Sequence, residues 1–209
     1  MSNELIIPTK ADDQSFDLAV ANGNYLPRVS LKTSNSQQCK DGTFSVNHFA
    51  FEDGSIIKDL GQEINVLVVS WRPIALEIID GQPHSVYDAS SAEFKRIQDK
   101  AGEPESGCLY GIEFLIWLPA IKKFGTFGFT SKSSRKEAPI CRALLGKWAS
   151  ISAKKIQTAR FTWFSPSVKG SSIPGELPTP EVFEKAKSQW ENPTPAKGEP
   201  APAADGRAR

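Results

Sequence analysis

Two dense apolar runs set the strongest limit on what this chain can fold into. The first is Ile64-Asn65-Val66-Leu67-Val68-Val69-Ser70-Trp71. Its β-branched density predicts a strand buried on both faces. The Arg72-Pro73 pair ends it in this reading, because proline cannot donate to a ladder. The second run, Gly111 to Leu118 (GIEFLIWL), predicts another buried strand. Lys123 to Thr130 (KFGTFGFT) pairs back on it after a turn at Pro119-Ala120-Ile121-Lys122.

The remaining pattern is of short strands between turns. Tyr25 to Lys32 alternates apolar and polar residues, and Thr43 to Phe51 resumes the alternation after a polar loop. Glu52-Asp53-Gly54-Ser55 has hairpin-turn chemistry, and Ala75 to Ile79 turns at Asp80-Gly81. Lys154 to Phe164 (KKIQTARFTWF) reads as a last core strand. Helices are few. Ser90-x-x-Glu93 is a capping box ahead of a helix over about 91–100. A second helix is expected near 137–149, with Ser134-x-x-Glu137 as its capping box. Thr179-Pro180-Glu181 starts a third, whose stripe of Phe183, Ala186 and Trp190 needs a surface to cover, most simply the domain itself. Residues 165–179 carry turn chemistry, with Pro at 166, 174 and 178.

The expected fold is mainly β (α+β), a small OB-like barrel or sandwich of about six to seven strands with one or two inserted helices. The expected organisation is a loosely ordered arm over 1–24 and a β-rich, nucleic-acid-binding domain over 25–170. A Pro-rich connector and docking helix follow over 171–191. The tail over 192–209 has no large apolar residue and is expected to be disordered. There is no signal-peptide-like start and no apolar run long enough to span a bilayer. Three scattered cysteines fit neither a disulfide framework nor a thiolate cluster. A cytoplasmic setting is expected.

Charge is where the sequence speaks to function. The whole chain is nearly neutral, at +1. Residues 1–116 hold 9 Lys/Arg against 17 Asp/Glu, whereas residues 117–170 hold 11 Lys/Arg against a single acid, Glu137. The cations Lys122, Lys123, Lys132, Arg135, Lys136, Arg142, Lys147, Lys154, Lys155, Arg160 and Lys169 are interleaved with Phe124, Phe127, Phe129, Trp148, Phe161 and Trp163. Cations neutralise phosphates, and aromatic faces stack unpaired bases. Phe127, Phe129 and Trp163 are therefore the candidate stacking residues. Glycines 125 and 128 would let a ribose-phosphate backbone approach. Aromatic residues at strand spacing are as readily core residues, so exposure decides between the two. The loop SKSSRKE (131–137) is a candidate anion-binding turn without P-loop spacing.

A catalytic apparatus is not visible. His48 and His84 are the only histidines, and neither has a partner at metal-ligand spacing. No serine stands in a nucleophile frame, and the acids form no two-metal pattern. The expectation is a protein that is not an enzyme and needs no cofactor or metal. Arg72 could reach a phosphate, but pairing with a nearby acid is favoured.

The phrases LPRVSLKTSNSQQCKDGTF, GCLYGIEFLIWLP, SKSSRKEAP and FTWFSP together resemble a family of small proteins encoded by tailed bacteriophages. The resemblance spans roughly residues 25–180. It implies a replication or recombination accessory, similar in kind to OB-fold single-stranded DNA-binding proteins, that coats DNA in the host cytoplasm without reading sequence. Partners on this view are single-stranded nucleic acid (DNA ahead of RNA), replication or recombination proteins, and a second copy of the chain, with no membrane. One departure is plain. From Glu191 onward there are three acids and three bases, so the acidic docking tip common in such proteins is missing. The alternative is a structural or interaction protein, a virion component or an inhibitor of a host enzyme, using its basic face on an acidic protein.

Overall fold

The structure, a computed structural model, describes residues 4–6 (backbone only), 26–54, 56–79, 82–103 and 105–193. Most of the expected N-terminal arm, most of the expected tail and the Asp80-Gly81 turn lie outside these. The strands are β1 (Glu4–Ile6), β2 (Arg28–Leu31), β3 (Phe49–Asp53), β4 (Ile56–Gly61), β5 (Glu63–Ile79), β6 (Gln82–Val86), β7 (Cys108–Leu118), β8 (Lys123–Phe129), β9 (Trp148–Gln157) and β10 (Thr162–Gly170). The helices are α1 (Gln37–Lys40), α2 (Ala92–Lys100), α3 (Ala138–Ala143) and α4 (Pro180–Glu191), with a 3₁₀ turn at Ser134–Lys136 before α3.

The mainly β character is as expected, but the strands form one sheet that is not closed. Its order is β1-β4-β3-β2-β8-β7-β5-β9-β10, with β6 paired to the far end of β5. The pairing of β2 with β8 is parallel, and the other pairings are antiparallel. The ten strands exceed the six or seven expected, because segments read as turns or as single strands divide further.

β5 organises the sheet. It runs through Pro73 instead of ending there. It pairs with β9 over Glu63–Leu67, with β7 over Leu67–Glu77 and with β6 over Ala75–Ile79. Among the described residues, β5 has no second strand partner between Leu67 and Ala75, so a residue that cannot donate is tolerated at a local edge. A bulge between Val68 and Ser70 bends the strand there.

Side-chain alternation places a core on each face. Ile64, Val66 and Val68 of β5 join Phe114, Ile116 and Leu118 of β7, Phe127 and Phe129 of β8, and Cys141 of α3 in the main cluster. Leu115, Trp117 and Phe124 lie on the opposite face, under Ala186 and Trp190 of α4. Helix α4 covers the domain itself, as its stripe requires. Thr179 caps it by accepting from the Val182 N–H at 3.4 Å, with Pro180 in the first turn.

Several boundaries differ from the sequence expectation. The helix at 137–149 stops at Ala143; Gly146 takes φ +71°, and Trp148 already begins β9. Glu137 caps no helix by its side chain; its Oε2 accepts the Val168 N–H at 2.9 Å. At α2 the capping residue is Ser91, which accepts from Phe94 N–H, while Ser90 bonds Asp88. The single strand expected over 154–164 is a hairpin tip. β10 then continues through Pro166, on an edge strand where proline costs no ladder bond.

Candidate nucleic-acid interface

The last pair between β9 and β5 is Ser152 with Glu63, and the Ala153 N–H reaches Gln62. Beyond that point, among the described residues, β9 pairs only with β10. Residues 154–164 therefore overhang the sheet as a two-stranded ribbon. Its tip is closed by Thr158, whose N–H donates to Phe161 O at 2.8 Å and whose hydroxyl accepts from Phe161 N–H at 3.1 Å. This is a hydroxyl-assisted turn without glycine, asparagine or aspartate, so nothing in the sequence marks it as a turn.

The ribbon pairs Trp163 with Ile156 and Ser165 with Lys154. Thr158 faces Phe161 across the tip, so alternation puts Phe161, Trp163, Ile156 and Lys154 on one face. Phe161 is 71% exposed and Trp163 38%. Lys154, Lys155 and Arg160 are exposed around them. Beside the ribbon, Lys132, Ser133 and Lys136 line an open groove together with Trp163.

Two of the candidate stacking residues, Phe127 and Phe129, are core residues. Phe127 is 3% exposed and Phe129 is fully buried, with their rings edge to face at 5.0 Å and Phe49 and Phe114 packed alongside. No base can reach them. Of the neighbouring glycines, Gly125 makes room for the chain's own backbone, and Gly128 has only an ordinary contact with the Thr130 side chain. A Cβ on Gly125 would meet Val29 at 3.1 Å and the Pro27 carbonyl at 3.2 Å, where β2 crosses close.

The basic block also divides. Lys122 pairs with Glu176 at 2.8 Å and Lys123 with Asp53 at 2.8 Å, and both line a separate groove beside α4. Arg142 lies over the Trp71 ring at 4.0 Å, and Lys169 reaches Glu63 at 3.4 Å. Arg135 turns inward, onto the Tyr110 and Thr130 carbonyls. The side chains of Lys132, Lys136, Lys147, Lys154, Lys155 and Arg160 are exposed and carry no hydrogen bond or ion pair among the described residues. No Asp or Glu occurs from 138 to 175 to neutralise them.

The other groups of chemical interest have local roles. Arg72 makes the acid pair favoured from the sequence, with Glu113 at 2.7 Å. His48 Nδ1 bonds Asp59 at 2.8 Å, and His84 Nε2 lies 3.4 Å from Glu93. Burial pushes the Cys141 thiol up to about 12. Burial also raises Cys108, with Glu77 adding to the effect, and raises Cys39 against the pull of Lys32. A thiol shifted upward is a poor nucleophile. Comparison with protein-family models, with curated proteins and with solved structures finds no match for this chain.

Proposed function

We propose that this chain is a non-catalytic, sequence-independent single-stranded nucleic-acid-binding protein, preferring DNA, of the kind that serves phage replication or recombination. The observation that carries this reading is the overhanging β9–β10 ribbon. It presents two exposed aromatic rings on one face, among cations that have no ion pair among the described residues. Each base stacked on such a ring contributes roughly 1–3 kcal/mol. An open sheet with a projecting ribbon takes the place that the resemblance assigns to an OB-like barrel.

The test is a titration of labelled oligo-dT followed by anisotropy at several salt concentrations, with a duplex of the same length alongside. If about four phosphates are neutralised, log K falls against log salt with a slope near −3. The triple variant Lys154→Glu, Lys155→Glu, Arg160→Glu loses most of the affinity while keeping its fold, since all three side chains lie outside the core. Absence of binding at about 50 mM salt, or unchanged affinity in the triple variant, rejects the reading. Salt-sensitive self-assembly without nucleic acid would point instead to an acidic protein surface as the ribbon's partner.

A further inference from the structure

The loop from Ser131 to Lys136 carries three cations, and the fold uses them in two ways. Arg135 is an anchor. Its guanidinium donates to the carbonyls of Tyr110 at 3.1 Å and Thr130 at 3.2 Å, and lies 4.0 Å from the Tyr110 ring centroid. Buried Ser134 holds the loop closed. Its hydroxyl donates to Ser131 O at 3.0 Å, and its N–H donates to Ser131 Oγ at 3.2 Å. The Arg135 N–H reaches Ser131 O at 2.9 Å. A loop fixed in this way holds the backbone from which its outward side chains project before any ligand arrives, which lowers the ordering cost of binding.

Lys132 and Lys136 are those outward side chains. With Ser133 and the Trp163 ring they bound a groove of about 360 Å³. Two ammonium groups beside one groove, without an acid among the described residues that line it, repel each other unless an anion lies between them. A ring next to that anion site adds a flat apolar face. Anion and flat face together describe one nucleotide.

The geometry points to this groove as the site of one nucleotide unit of a bound strand, with its base on Trp163 and its phosphate between Lys132 and Lys136. This rests on the ribbon being the nucleic-acid site. The neighbouring base then stacks on Phe161, two residues away on the same face. Two residues of strand span about 6.7 Å, whereas successive bases of a B-form strand rise 3.4 Å. Bases held on both rings are therefore pulled apart from each other. A single strand permits that and a stacked duplex does not, so the spacing of the two rings sets the preference for single strands.

The experiment uses the full chain and oligo-dT, with two readouts. Trp117 and Trp190 are buried and Trp71 and Trp148 partly so, which leaves Trp163 as the one exposed indole among the five. Oligo-dT should quench tryptophan emission in the wild type, and Trp163→Phe should abolish that quench. Lys132→Ala with Lys136→Ala should flatten the log K against log salt slope by about 0.7, the share of the one phosphate they hold, and weaken binding about tenfold. Lys132→Arg with Lys136→Arg should restore both. A quench that persists in Trp163→Phe, or a slope unchanged in the double alanine variant while oligo-dT still binds, overturns the inference and leaves the ribbon reading standing. Failure of the wild type to bind oligo-dT overturns both.

Discussion

Arg72 holds its guanidinium 3.8 Å from the ring centroid of Trp190 and donates to the Trp190 carbonyl at 2.9 Å. Its other face meets the Tyr87 ring at 3.6 Å, and its remaining nitrogens reach Glu113. One side chain thus ties β5, β7, the segment after β6 and the end of α4 together. Helix α4 is short and makes its apolar contacts through one stripe, and this tie adds a polar anchor at its C-terminal end.

Removing Arg72 leaves Glu113 nearly buried and without its partner, a loss of about 3–5 kcal/mol. Arg72→Ala is expected to lower the urea midpoint by a corresponding amount and to open α4 and the 171–179 connector to protease. Arg72→Lys restores the charge but neither the flat stack nor the fork, and should recover only part of the loss. Trp190→Ala combined with Arg72→Ala should cost less than the two single changes added, because they remove the same contact. Additive losses would show that the stack does not hold the helix.

The aromatic residues of the basic block separate by stability and binding. Phe127→Ala or Phe129→Ala opens a cavity in the main core and should cost about 3–5 kcal/mol. Phe161→Ala touches no core and should change stability by no more than about 0.5 kcal/mol. It should weaken oligo-dT binding by the roughly 1–3 kcal/mol of one stacked base, about fivefold to more than a hundredfold. Thermal unfolding and anisotropy on the same preparations check both halves. A destabilised Phe161→Ala with unaltered binding would return that ring to a structural role.

These pairs also show where the sequence was legible. Ile64 to Trp71 and Gly111 to Leu118 are strands because β-branched and aromatic residues fill both faces, and burial on both faces followed from that density. The docking of α4 was legible because Phe183, Ala186 and Trp190 form a stripe behind a capping residue. The site was only half legible. Charge located the basic block, but pairing within it depends on contacts far apart in sequence, such as Lys123 with Asp53 and Lys122 with Glu176. Phe127 and Phe161 look alike in the sequence. The first lies on a strand flanked on both edges, by β2 and β7, and the second on a ribbon that has outrun its sheet. Glycine was ambiguous in the same way. A Cβ on Gly111 would stand 1.9 Å from the Phe129 carbonyl oxygen, so that glycine marks close strand packing, not a ligand.

Acid should weaken the end of the sheet where α2 packs. Glu77 on β5 takes a two-pronged contact from Arg96 of α2, at 2.9 and 2.5 Å. The hydrogen bond from Arg96 holds the Glu77 carboxyl below its ordinary value, against an opposing contribution from burial. A depressed carboxylate contributes stability that is present above its unfolded value, near 4.5, and is lost as the pH falls through the folded one. The Tm of the wild type should therefore drop as the pH falls from about 5 toward 3. Glu77→Gln should start lower at neutral pH and fall less steeply. Some slope should survive in that variant, because Glu63, bonded by Ser150, and Asp88, bonded by Ser90, are also held low. Parallel curves for wild type and Glu77→Gln would mean that the Arg96 contact does not couple α2 to β5 in solution.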